Sequence, residues 1–175
     1  MNIKTNTRLL IISSVLTAIG ILIPIISPIK ITLEPASYTL ASHVAIFIAI
    51  FIAPSVAVSV SIGTALGFWF AGFPIVIVVR AFSHIVFAFI GSMMMKNQPI
   101  LLQTKPKQFL IGLILSLIHA VFEVIVVLPF YFFGNTLDYS ILNIFMLIGI
   151  GTIIHSMIDF YISLIIFKPL SKQIK

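Results

Sequence analysis

Apolar residues run along the chain in six blocks, separated by short breaks that carry polar residues, glycine or proline. The blocks cover about 8–27, 39–53, 55–71, 74–95, 108–131 and 141–167. A helix needs about 20 such residues to cross the hydrocarbon of a bilayer. The first block closes at Pro24 and Pro28, and the second is short and ends at Ala53-Pro54. Proline disfavours helix in the residue before it, which sets that boundary. The loop "SPIKITLEPASY" holds proline, Lys30 and Glu34 and cannot lie exposed in lipid. The pattern predicts an all-α, polytopic membrane protein: a six-transmembrane-helix bundle forming one domain over residues 1–175.

Composition sharpens this picture. Of 175 residues, 61% are hydrophobic and 8% charged, against about 25% charged in a soluble domain. The net charge of +6 is not a nucleic-acid signal, because the basic residues lie between or beyond the spans. Lys4, Arg8, Lys96, Lys105, Lys107, Lys168, Lys172 and Lys175 fall on one side of a six-span drawing, and Lys30 alone on the other. The positive-inside rule then predicts both termini in the cytoplasm, in a bacterial plasma membrane. With no cysteine, disulfides and thiolate metal sites are excluded. The N-terminal apolar run is too long for a signal peptide and is read as a retained first helix.

Six ionisable residues inside the last three spans stand in pairs: Arg80 and His84, His119 and Glu123, His155 and Asp159. Each pair is spaced i, i+4 and so shares one helix face. The cheapest arrangement turns the three polar stripes toward one another. His43, early in the second block, adds a further polar group. An internal salt bridge from Arg80 to Glu123 or Asp159 is the plainer reading. Three pairs exceed what packing needs, so a ligand cavity open to the outside is the sharper one. Two histidine–carboxylate pairs could hold a metal, but Arg80 would oppose a cation and no His-Glu-x-x-His motif occurs. No metal or cofactor is expected. Neither a nucleophile elbow nor a phosphate-binding loop is present, so no enzyme activity is expected and energy for transport must come from a partner or a gradient.

Two features concern packing and recognition. Ser55, Ser59, Gly63, Gly67 and Ala71 recur every four residues, a small-residue stripe for helix contact, and Ser14 and Ala18 repeat the spacing in the first span. Tyr38, Phe68, Trp69, Phe70, Phe73, Tyr131 and Tyr139 gather at the outer ends of spans. An interfacial aromatic belt explains most of them. Tyr38 and Trp69 also suit a lid stacking on a flat ligand.

The segments "EPASYTLASHVAIFIAIFIAP" and "GTALGFWFAGFPIVIVVRAFSH" resemble the substrate-binding S components of energy-coupling factor (ECF) transporters, most of all the niacin-specific branch. The resemblance covers essentially the whole chain and is most specific from Glu34 to His84. It implies a subunit that captures a vitamin from outside, then delivers it with a transmembrane coupling (T) component and two cytoplasmic ATPases. The family's Ala-x-x-x-Ala contact motif corresponds to Ser14 and Ala18. Nicotinate would place its carboxylate on Arg80 and its ring near His84 or Glu123. Pyridoxine or hydroxymethylpyrimidine would instead use Glu123, Asp159 and the histidines. A stand-alone proton-coupled transporter is the alternative from another class, and an intramembrane enzyme using His155 and Asp159 a third.

Overall fold

The computed structural model describes residues 3–33, 36–97, 102–133 and 140–174. In chain order they form helix α1 (Ile3–Ile26), strands β1 (Lys30–Leu33) and β2 (Ala36–Thr39), then helices α2 (Val44–Ile50), α3 (Pro54–Phe70), α4 (Ile75–Asn97) and α5 (Lys105–Phe133). The last segment is one rod in three parts: α6 (Ile141–Ile144), a π-helical stretch (Phe145–Ile150) and α7 (Gly151–Ile174). Among the described residues four stretches are long and apolar enough to cross a membrane, namely Thr7–Ile26, Ile75–Lys96, Lys105–Phe133 and Ile141–Ser171, and Pro54–Phe70 is a shorter apolar helix. The helical membrane class expected from the apolar blocks is therefore present. Of the expected connections, the tip Glu34-Pro35, residues 98–101 and the turn 134–139 with Tyr139 lie outside the described residues.

The second block departs from expectation. Only Val44–Ile50 is helical, and all seven residues are buried. Seven residues rise about 10 Å, roughly a third of a hydrocarbon core. The helix sits within the bundle, against α1, α3, α4 and α7. A run that is apolar on every side marks a helix enclosed by protein as readily as one in lipid. The loop expected after the first span also differs. It contains an antiparallel hairpin pairing Lys30 with Thr39 and Leu33 with Ala36.

Local chemistry sets the boundaries. Pro54 opens α3 behind an extended Ala53 (φ −166°, ψ 152°), as its ring requires of the preceding residue. Gly72 follows α3 in a left-handed turn (φ 76°). Helix α1 lies along α3, α3 along α4, α4 along α5, and α5 along α7. In the small-residue stripe, a Cβ at Gly67 would meet the backbone of Ile21, and one at Gly63 the side chain of Thr17. Those two glycines let α1 and α3 approach closely. Ser55 and Ser59 remain exposed, as do Ser14 and Ala18 on α1.

Two separate apolar cores result. One gathers α2 with Phe87, Leu115, Phe160 and Leu164. The other holds Phe68, Ile77, Ala81, Val127, Ile144 and Ile148. The exterior is apolar too, with Leu10, Phe70 and Ile165 exposed, as suits a lipid-facing surface. On α4, α5 and α7 the paired ionisable residues fall between the stretches that feed the two cores. Substituting Gly67 by alanine is expected to wedge α1 from α3 at a cost of about 1–3 kcal/mol. Thermal unfolding of the detergent-solubilised protein reads this as a lower midpoint, and an unchanged midpoint would refute the close approach.

Candidate functional site

Between the cores lies a continuous polar layer with Glu123 at its hub. Its Oε2 accepts from Arg80 Nη2 at 2.8 Å and from the Thr152 hydroxyl. Its Oε1 accepts from His84 Nε2 at 3.2 Å. His119 Nε2 lies 3.3 Å from the same oxygen but is not aligned as a hydrogen bond. All of these side chains are buried. The expected stripes of α4 and α5 thus meet each other, and Thr152 joins them from α7.

Asp159 anchors a second group. Its Oδ1 accepts the backbone N–H of Ala41 at 3.0 Å. Its Oδ2 accepts the backbone N–H of His43 at 3.0 Å and the His43 ring Nδ1 at 3.1 Å. The carboxylate therefore holds the turn that leads into α2. Ala41 adopts a left-handed conformation there (φ 67°), unusual for a residue with a Cβ. The His155 Nε2 stands 3.6 Å from Asp159 Oδ2 and 3.3 Å from the Ser42 hydroxyl. Imidazole joins the two groups: the His43 ring centre is 4.7 Å from that of His84, 4.6 Å from that of His119 and 5.0 Å from that of His155.

A cavity of about 20 Å3 opens beside this layer, room for about one water. Ser37, Tyr38, His43, Arg80, His84 and His155 are among its walls. An apolar groove of about 410 Å3 adjoins it between the hairpin and the π-helical stretch, lined by Ile31, Leu40, Met146 and Ile154. Tyr38 and His155 border both spaces. The Tyr38 hydroxyl donates to the Leu147 carbonyl within the π-helical stretch, and its ring packs directly against Gly151, where a Cβ would meet it. Such stretches break the regular i→i−4 ladder and concentrate at functional sites.

Of the residues singled out in the sequence, Tyr38, His43, Arg80, His84, Glu123 and His155 line the cavity. Asp159 and His119 stand behind its wall, bonded or packed to residues that line it. Trp69, the other aromatic that suited a lid, lies on the outer side of α3, 58% exposed, and is not among the cavity's walls. Thr152 and Ser42 were missed. Thr152 stands three residues before His155 and seven before Asp159, so helical periodicity already put it on the polar face. Ser42 carries no comparable signal.

Comparison with known proteins now adds kinship. The niacin transporter NiaX of Lactococcus lactis subsp. cremoris (strain MG1363) is 39% identical over 171 residues, covering 97% of this chain and 77% of the relative. The chain belongs to the NiaX family. This is the niacin branch of the S components that the sequence resembles. This is a family of membrane transport proteins. No family profile matches the chain, and neither does any solved structure.

Removing the hub tests the site's construction. Glu123→Ala takes an acceptor from Arg80, His84 and Thr152 together and is expected to cost about 3–5 kcal/mol, as when one partner of a buried ion pair is deleted. Trp69→Ala, on the exposed side of α3, is expected to stay within about 0.5 kcal/mol. Thermal midpoints in detergent compare the two, and equal midpoints would contradict the hub role.

Proposed function

We propose that this chain is the substrate-capture subunit, or S component, of an ECF-type importer, and that its cargo is niacin. The observation that carries the reading is the cavity at the polar layer, with a guanidinium, imidazoles and a tyrosine on its walls. Nicotinate is a flat ring bearing a carboxylate. Arg80 suits the carboxylate, through charge-assisted and bidentate hydrogen bonds. Tyr38 and Phe68 suit the ring faces. The named cargo of the Lactococcus relative supports the same choice.

The cavity is too small for a pyridine ring as it stands, so its wall must move. Tyr38, with His155, borders both the cavity and the apolar groove, and it sits on the hairpin between α1 and α2, so its displacement would join the two. The larger groove alone is a poor candidate for an anion, because its named walls are almost wholly apolar. In this reading six segments lie in the bacterial plasma membrane, with residues 40–53 around the short buried α2 carrying the chain back from the outer side to the start of α3, so that both termini are cytoplasmic and the hairpin faces outward. A T component and two ATPases supply the energy. Ser14 and Ala18, exposed on α1, form the face that docks to the T component.

Two outcomes check the reading. Nicotinate titrated into purified Arg80→Ala is expected to bind roughly 10–100-fold more weakly than to wild type, the worth of a hydrogen bond to a charged group. Unchanged affinity would dismiss Arg80 as the carboxylate's partner. Ala18→Trp is expected to keep nicotinate binding while abolishing uptake in vesicles that contain the whole importer. Uptake by vesicles holding this chain alone would favour a proton-coupled carrier instead.

A further inference from the structure

The geometry points to a divalent transition-metal site, of the kind that takes Zn2+, formed by His43, His84 and His119. This goes beyond vitamin capture and does not depend on it. The three imidazoles come from the turn before α2, from α4 and from α5. Their ring centres lie 4.6–4.7 Å apart in every pairing, and one nitrogen from each lies within 4.8 Å of the other two. They are 4%, 2% and 0% exposed. Phe87 stacks on the His119 ring at 4.4 Å and fixes its plane.

The nitrogens are sorted by their neighbours. A carboxylate oxygen can only accept, so the ring nitrogen facing it carries the proton. His43 Nδ1 donates to Asp159 and His84 Nε2 to Glu123, while His119 Nε2 also faces Glu123. His43 Nε2 and His84 Nδ1 are then lone pairs, and His119, neither of whose ring nitrogens makes a hydrogen bond, offers a lone pair from one of them. Each is buried with no hydrogen-bond partner among the described residues. Three lone pairs without a donor are costly in a dry interior. A carboxylate behind an imidazole is also the arrangement that orients a metal-binding histidine and raises its basicity.

Charge agrees. The sequence sets Arg80 against a cation, but the folded chain holds that guanidinium on Glu123, and Asp159 adds a second carboxylate. Imidazole suits zinc, nickel and copper. At a metal–nitrogen distance of about 2.0–2.1 Å, tetrahedral ligand atoms stand about 3.4 Å apart. The ring centres are already 4.6–4.7 Å apart, so the rings would turn to bring one nitrogen of each onto the ion rather than move closer together. Three protein ligands leave a fourth position open. His43 and His84 also line the cavity, so the ion would sit at its floor.

The test is Co2+ titration of chelator-stripped, vitamin-free wild-type protein in detergent, followed by visible absorption. One equivalent with tetrahedral d–d bands, displaced by Zn2+, is expected. X-ray absorption of the Zn2+ form is expected to show three imidazole nitrogens near 2.0 Å. His119→Gln and His84→Gln are each expected to weaken Co2+ binding roughly 100-fold or more, the upper end of the loss seen when only a supporting residue is removed. Absence of Co2+ and Zn2+ binding in wild type would overturn the proposal. So would a zinc spectrum without three imidazoles, which needs no variant to fold. Bands that persist in both folded variants would overturn it too. Nicotinate affinity is measured separately, so either reading can fail alone.

Discussion

A guanidinium inside an apolar bundle must be given a counter-charge and hydrogen-bond acceptors, or the fold that contains it will not persist. Glu123 meets that requirement for Arg80 at 2.8 Å, and the rest of the polar layer follows from it. One carboxylate oxygen takes Arg80 and Thr152, and the other takes His84. Helices α4, α5 and α7 are thereby held in one register. Asp159 repeats the device on a smaller scale, tying α7 to the turn that launches α2. The two apolar cores lie either side of this layer.

The same side chains hold the bundle and face the cavity, so in the proposed reading ligand binding would compete with stability for them. An anion that reaches Arg80 shares it with Glu123. A cavity this small admits a ring only when something moves, and the hairpin carrying Tyr38 rests on a stretch of irregular helix through the Tyr38–Leu147 hydrogen bond and the packing of Ala36. The buried layer is thus built in advance, while access to it lies with the thinner outer elements.

Much of this was legible in the sequence. The long apolar blocks gave the helical membrane class, and the i, i+4 pairs gave three polar faces that do converge. The glycines of the α3 stripe gave a close helix contact. Other features were hidden for physical reasons. An apolar run reads the same whether lipid or protein surrounds it, so the seven-residue α2 looked like a span. Spacing along a helix fixes which residues share a face but not which carboxylate meets which cation. Only the fold assigns Glu123 to Arg80 and Asp159 to His43. Trp69 sits in a crowd of aromatics, and nothing in that crowd says which ring turns outward. The objection to a cation near Arg80 was sound for an isolated guanidinium and lapses once Glu123 covers it.

The central claim is that the polar layer is a receptor for an anionic ring entering past Tyr38. A structure determined with nicotinate bound tests it most directly. The account predicts the carboxylate within hydrogen-bond distance of Arg80, the ring beside His84, and Tyr38 moved from Leu147. A ligand lodged elsewhere, with the Arg80–Glu123 pair undisturbed and Tyr38 in place, would contradict it.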